Sequence, residues 1–194
     1  LAFKKVKGKI IILTDGDVYL GENSIKNLYD AFKNPKVMGS TGRPISADKK
    51  NKFFGYLSHL LADAAHHKRL TTLKGIRSGR SRVFVGSKSN FFAMRNFQFH
   101  LPEDTLVDDA YLSYVLLSKG GKLEYIPEAK VYVNYPSNLK DWYKQKLRAV
   151  GGYVQLWKFG VIENNTKVRN FWKELEYFWF PIKYANSIKE YIWS

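Results

Sequence analysis

Cysteine is absent from the 194 residues, which excludes disulfides, thiolate metal sites and thiol nucleophiles and leaves oxygen and imidazole as the metal ligands on offer. No run of about eighteen or more uncharged apolar residues occurs, so no segment reads as a membrane-spanning helix. Internal repeats and low-complexity segments are also missing. With 45% hydrophobic and 25% charged residues, the chain has the composition of a globular domain and not of a disordered or fibrous one. Acidic residues are scarce: 17 Asp and Glu stand against 32 Lys and Arg, a formal charge of +15. That balance favours anionic partners, whether nucleic acid, phosphorylated small molecules or an acidic membrane surface. The scarcity is uneven, because no acid occurs between Asp63 and Glu103 while eight cations from Lys68 to Arg95 fall there. Neither an initiator Met nor a signal peptide precedes Leu1, and a strand-like run begins only nine residues in, so the chain is read as a fragment with upstream sequence missing.

Against this basic background, carboxylates gather at Asp15/Asp17 and at Glu103/Asp104/Asp108/Asp109. The run Lys9 to Thr14 is continuously apolar and β-branched, the pattern of a strand covered on both faces as in a parallel sheet. After Asp15-Gly16-Asp17, a helix capped by Asn23 or Ser24 carries Ile25, Leu28 and Phe32 at helical spacing and ends at Asn34-Pro35. A short strand from Lys36 to Ser40 completes a βαβ unit and hence an α/β sheet. Lys52 to about Arg69 is an amphipathic helix, and Gly75 to Arg82 a basic loop. Strands are predicted at Arg82–Val85, Asn90–Met94, Leu123–Ile126 and Val131–Tyr135. Helices are predicted at Asp108–Ser118, stopped by Gly120-Gly121, and from Asn138 to about Gly151. The domain therefore occupies residues 1–152, with an aromatic helical extension over 153–194.

Three constellations carry chemistry. Asp15-Gly16-Asp17 follows a strand, and a strand end projects side chains into the crevice where α/β proteins bind ligands. Two carboxylates there suit one hard divalent cation, with a diphosphate completing its shell; the same residues also make an ordinary turn. Asp108 and Asp109 open a helix whose dipole stabilises anions. Capping explains one of them, and a carboxylate near a phosphate is also placed to serve as a general base. Gln145 and Arg148, three apart on a helix, share a face. They suit bidentate phosphate binding or, more simply, a solvated surface. His66-His67 sit on different sides of a helix and are read as facing solvent rather than a metal. Asn164-Asn165-Thr166 is read as a loop.

In this order, the motifs resemble the family 2 glycosyltransferases, specifically the polysaccharide-synthase-like branch, over about residues 1–152. Asp15-Gly16-Asp17 resembles the DXD motif, Val107-Asp108-Asp109 the Thr/Ser-Glu-Asp motif, and Gln145 to Ala149 the QXXRW motif, with Ala149 where that motif has Trp. Val85-Gly86-Ser87 resembles the acceptor-side segment. The resemblance implies the nucleotide-diphospho-sugar transferase fold, a Rossmann-like mixed sheet flanked by helices, with the nucleotide-binding strands upstream of Leu1. It also implies a hexosyltransferase that inverts configuration and uses Mg2+ or Mn2+. The donor would be a UDP- or GDP-sugar and the acceptor a glycan or lipid-linked hydroxyl. Asp109 would be the base beside Asp108, Asp17 the main metal ligand, Asp15 a metal and donor contact, and Arg148 with Gln145 the diphosphate grip. Gly86, Ser87 and Trp142 would lie on the acceptor side, with Trp157 a second indole able to stack on a sugar.

Two other classes compete. A basic nucleic-acid-binding module accounts for the charge but not for the acidic clusters, and no zinc-finger, helix-turn-helix or RNA-recognition signature is present. A phospho- or nucleotidyltransferase would also use several carboxylates and metals. No nucleic acid is expected as a partner. All five Trp, at 142, 157, 172, 179 and 193, follow the last acidic cluster. The aromatic C-terminal segment is therefore expected on the cytoplasmic face of a membrane, in the interface and not across it; the alternative is that these rings fill the domain's own core.

Overall fold

In the computed structural model of the chain, residues 5–77, 90–97, 99–162 and 179–194 are described, with the backbone alone for 73–77. The strands are β1 (Ile10–Thr14), β2 (Tyr19–Leu20), β3 (Val37–Ser46), β4 (Phe91–Arg95) and β5 (Lys122–Val133), and they form one sheet in the order β1-β4-β3-β5-β2. The helices are α1 (Ser24–Asp30), α2 (Phe53–Arg77), α3 (Asp108–Ser118), α4 (Leu139–Lys158), α5 (Phe180–Tyr184) and α6 (Ile188–Trp193). A 3-10 turn over Ala31–Lys33 extends α1.

β1 is apolar throughout because it is covered on both sides. Ile11 and Leu13 join the core formed with Phe92, Met94, Leu112, Leu116 and Leu156, whereas Ile10 and Ile12 meet the core of Leu28, Phe91, Ala93 and Val131. The sheet is nevertheless mixed. β1 pairs antiparallel with β4, Ile10 opposite Arg95 and Thr14 opposite Phe91, and β3 with β5 is its parallel pair. Continuous hydrophobicity reports burial of both faces, and antiparallel strands between two helical layers satisfy it equally well. Ile25, expected on the inner face of α1, is 54% exposed, while Leu28 and Phe32 are buried. The Ser24 hydroxyl does not cap α1 but donates to the Lys130 carbonyl at 2.8 Å.

Several elements outrun their predicted limits. β3 continues through Gly42 and Pro44 to Ser46. Gly42 permits this because a side chain there would collide with the Ala129 carbonyl and the Phe91 ring. The two predicted strands after Gly121 join as β5, with a register irregularity against β3 between Thr41 and Arg43. α2 continues to Arg77, through residues expected to open a basic loop. α4 runs to Lys158, so position 152, expected at the end of the domain, lies inside a helix. The expected strand at Arg82–Val85 and the loop at Asn164-Asn165-Thr166 lie outside the described residues.

The C-terminal helices dock on α2. Trp193 packs edge-on against Phe53, with centroids 6.0 Å apart, and lies 5.8 Å from Tyr56. The Tyr184 hydroxyl donates to Asp63 at 2.9 Å, and Arg43 pairs with the same carboxylate at 3.1 Å. Burial, followed by that bond to the charged Asp63, pushes the Tyr184 hydroxyl well above its ordinary pKa. Part of the aromatic C-terminus thus covers the domain itself.

Candidate active site

β1 ends at Thr14, and the chain turns through Gly16 and Asp17. Asp15 is tied to the strand that follows the basic stretch: its backbone N–H donates to the Asn90 carbonyl at 3.3 Å, and the Asn90 amide donates to Asp15 Oδ2 at 2.5 Å. The other carboxylate oxygen of Asp15, and both of Asp17, have no hydrogen-bond partner among the described residues. Both side chains are exposed.

Asp108 and Asp109 form the first turn of α3. Asp108 Oδ1 accepts the Asp109 N–H at 2.9 Å, and Asp109 Oδ1 accepts the Ala110 N–H at 2.7 Å. Each carboxylate therefore commits one oxygen to helix backbone, where the dipole favours its charge. The direction of α3 fixes where this turn lies. The helix packs on the sheet through Ala110, Leu112 and Leu116, and it joins β5 through Gly120-Gly121, with the Gly121 N–H bonded to the Leu116 carbonyl at 3.1 Å. A helix so connected runs back against the direction of β5 and of the parallel β3. Its 11 residues span about 16 Å, so from Gly121 the helix runs back toward the level of the sheet at which β1 ends, short of the end of β3 at Ser46.

α4 contributes the third group. Gln155 bridges to the segment ahead of α3: its Oε1 accepts the Leu106 N–H at 2.9 Å, and its amide donates to the Asp104 carbonyl at 2.9 Å. Gly152 is buried against Val107. At about 100° per residue, Gln145, Arg148, Gly152 and Gln155 occupy one side of the helix. Gln145 and Arg148 are exposed and make no hydrogen bond or ion pair among the described residues. They extend, one and two turns back, the stripe that seats α4 on the α3 start.

Gly152 is therefore a packing requirement. A Cβ there would lie 2.6 Å from both Val107 methyl carbons, whereas at Gly151 the nearest atom, Leu106 Cδ1, would be 3.4 Å away. Overpacking of this kind costs about 1–3 kcal/mol, against roughly 1 kcal/mol of helix propensity that alanine returns. Gly152→Ala is expected to lower stability by about 1 kcal/mol and Gly151→Ala to raise it by about as much. Urea unfolding of the two variants tests the sign, and equal stabilisation by both would show that α4 does not seat on Val107 as described.

Other candidates are placed differently. Trp142 is 7% exposed, stacked on Tyr135 with centroids 6.2 Å apart and with the Lys146 ammonium 5.4 Å from its ring centre. Buried in this way it offers a sugar little surface; Trp157, 45% exposed, is the accessible indole on α4. Gly86 and Ser87 lie outside the described residues. His66 does not face solvent but is half-buried, its Nδ1 2.7 Å from the Tyr125 hydroxyl. Burial, and then the charge of Arg43, push its pKa below the ordinary value. His67 meets the Phe180 ring at 5.5 Å. Among the described residues, no group of three or more His, Asp or Glu is placed to hold a metal. Asn90, Gly152 and Gln155 carried no signal in the sequence, because their partners lie at distant positions in the chain.

A family match, to Glycosyl transferase family group 2, extends over residues 10–189. Comparison with curated proteins found no match. Among solved structures, the mannosyltransferase PcManGT from Pyrobaculum calidifontis, in complex with GDP-Man and Mn2+, is similar with a TM-score of 0.50 at 14% identity. The similarity covers 82% of this chain and 41% of that one, so the chain spans less than half the length of that enzyme. At this identity the likeness is one of fold: a mixed sheet flanked by helices.

Proposed function

The chain belongs to Glycosyl transferase family group 2, and from that premise we propose that it carries the catalytic side of an inverting hexosyl transfer. The donor is a nucleoside diphosphate sugar and the acceptor a hydroxyl on a glycan or lipid-linked carrier. What supports this reading is the arrangement of the elements: β1 delivers Asp15 and Asp17, α3 opens with Asp108 and Asp109 and runs against the direction of β1, and the α4 side that bears Gln145 and Arg148 seats on the segment ahead of α3 through Gly152 and Gln155. A GDP-linked hexose is the first donor to test, because the structurally similar mannosyltransferase is complexed with GDP-Man; a UDP-sugar is the second.

Asp17, with Asp15, would hold Mg2+ or Mn2+. The donor set fits a hard cation: two exposed carboxylates at a strand end, three of their four oxygens without a partner among the described residues, with phosphate and water able to complete the shell. When bound, such an ion neutralises charge on the diphosphate. Arg148 grips phosphate oxygens through its planar guanidinium, and Gln145 donates an amide to the same group. Asp109 accepts the proton of the acceptor hydroxyl as that oxygen bonds to the anomeric carbon and the diphosphate departs from the opposite face. The use of a nucleotide sugar and the net charge of +15 support work at the cytoplasmic face of a membrane, with polysaccharide or lipid-linked glycan synthesis as the setting.

The test is release of nucleoside diphosphate from GDP- and UDP-hexoses, with and without Mn2+. Release that depends on metal and is stimulated by an acceptor supports the proposal. No release from any donor, together with salt-dependent binding of labelled RNA or DNA, would replace it with the nucleic-acid reading. Asn90 supplies a finer check as a positioning residue for Asp15. Asn90→Ala is expected to raise the Mn2+ concentration needed for half-maximal rate by about tenfold or more, as loss of a ligand's supporting hydrogen bond does elsewhere. An unchanged metal requirement would show that Asp15 needs no such support.

A further inference from the structure

We propose that Tyr19 and Tyr132 form a platform for a neutral glycan chain, so that the acceptor's sugars bind beside the turn that carries Asp15 and Asp17. This deepens the proposed function, by naming the substrate class on its acceptor side, and rests on it. Tyr19 in β2 lies directly opposite Tyr132 in β5. Residues so paired in antiparallel strands point to the same face, with Cβ atoms about 4.5–5.5 Å apart. Tyr19 is 71% exposed and Tyr132 36%. Their face is open because β5 changes sides at its irregularity. Before it, Leu123 and Tyr125 join the core with Leu112 and Leu116; beyond it, Ala129, Val131 and Val133 are buried with Leu28 and Phe91 on the opposite side of the sheet. Glu128, Lys130 and Tyr132 alternate with those three and so turn the other way, and all are exposed. Tyr19 follows Asp17 by two positions, which keeps their Cα atoms within about 7 Å of each other. The platform therefore adjoins the carboxylates assigned to the metal.

The neighbouring groups identify the ligand. Tyr132 also lines a depression of about 640 Å³ with Glu22, Lys26, Asn27, Glu128 and Lys130, a size within the roughly 300–1,000 Å³ of small-molecule sites. Lys26 is paired with Asp30 at 3.0 Å. The hydroxyls of Tyr19 and Tyr132, the carboxylates of Glu22 and Glu128 and the ammonium of Lys130 make no hydrogen bond or ion pair among the described residues. A sugar ring presents C–H groups on its faces and hydroxyls at its rim. Tyrosine meets the faces with a large, rigid, amphipathic surface at little entropic cost, while carboxylates accept from the hydroxyls and an ammonium donates to them. Two carboxylates against two ammonium groups leave this depression without the cationic excess of the whole chain, 32 Lys and Arg to 17 Asp and Glu. That local balance favours a neutral, hydroxyl-rich ligand over a nucleic acid or a phosphorylated one, whose charge the carboxylates would oppose. Tyr19 and Tyr132 thus supply the ring surface that Trp142, 7% exposed, does not.

The experiment titrates the 194-residue chain with neutral tetrasaccharides of glucose, mannose and galactose and reads binding by saturation-transfer NMR. Four forms are compared: unaltered, Y19A/Y132A, Y19F/Y132F, and Y143A, an exposed tyrosine on α4. All altered positions are exposed, so circular dichroism should match across the set. The proposal expects at least one tetrasaccharide to bind, with affinity lowered about tenfold or more in Y19A/Y132A and retained in Y19F/Y132F and Y143A. Binding by none of the three sugars overturns it, as does an equal loss in Y143A. A loss in Y19F/Y132F as large as in Y19A/Y132A would assign the contact to hydroxyls and not to ring faces, and the platform falls. If the chain instead binds labelled single-stranded RNA and loses it in Y19A/Y132A, the rings stack bases and the proposal is overturned. Release of nucleoside diphosphate from hexose donors separates this site from the reading it rests on. Release by the unaltered chain together with equal sugar binding in Y19A/Y132A removes the platform and leaves the transfer reading; the expected loss of binding with no release from any donor keeps the glycan site and removes the transfer reading.

Discussion

Alanine at Asp17, or at Asp15, is expected to abolish metal-dependent sugar transfer while leaving the fold in place. Both carboxylates stand exposed beyond the last residue of β1, and neither contributes to the two cores that bracket that strand. Exposed substitutions of this kind change stability by about 0.5 kcal/mol or less. For a chain of this size that corresponds to a shift in unfolding midpoint of about 1–2 °C. The two positions should differ in one respect. Asp15 is anchored by Asn90 through both its backbone and its side chain, so Asp15→Asn keeps an acceptor for Asn90 and tests charge alone. Asp17 has no such bond, and Asp17→Asn should be as inactive as Asp17→Ala. The measurement is initial rate against Mn2+ concentration in the active protein, with thermal unfolding of each variant. Full activity at saturating Mn2+ in either alanine variant would remove that residue from the metal site.

The second large effect is at Asp109. Asp109→Asn should lower turnover by about a hundredfold or more, the scale of a lost general base, and leave donor and metal affinity close to unchanged. The substitution suits the question because Asp109 Oδ1 accepts the Ala110 N–H at 2.7 Å. An asparagine keeps that acceptor, so the start of α3 persists while the proton acceptor is lost. Asp108→Asn is the comparison, since Asp108 also commits an oxygen to backbone, at 2.9 Å. A loss confined to turnover in Asp109→Asn, with Asp108→Asn far less affected, assigns the base. Unchanged turnover in Asp109→Asn would exclude it, and equal losses at both would mean that the pair acts as one acidic unit.

Elements whose signal is local read correctly from the residues. The periodicity and the Gly120-Gly121 stop place a helix over Asp108–Ser118, and α3 has those limits. The apolar run before Asp15 is β1, with one residue trimmed at its start. Where signals conflict with contacts made elsewhere, local reading fails. Gly42 and Pro44 look like strand breakers, yet β3 passes through both because Gly42 sits against the Ala129 carbonyl of the neighbouring strand. Gly151-Gly152 looks like a helix end, yet α4 continues because Val107 fills the space a side chain would take. Trp142 reads as a sugar platform only until Tyr135 is found stacked on it.

The residues by themselves determined which chemical groups are available and in what order: carboxylates after a strand, carboxylates opening a helix, an amide and a guanidinium three apart on another. These are properties of short windows, where backbone preference and side-chain period act over a few positions. Tertiary structure alone decided how those windows meet. Asn90 reaches Asp15 across 75 positions and Gln155 reaches Asp104 across 51, separations over which no periodicity carries information. It also decided which apolar residues of α4 are core and which are surface. A helix with apolar residues on more than one side cannot declare from its own pattern which side the rest of the chain will cover; only the packing of Gly152 on Val107 and of Leu156 in the core turns Leu147 and Val150 outward.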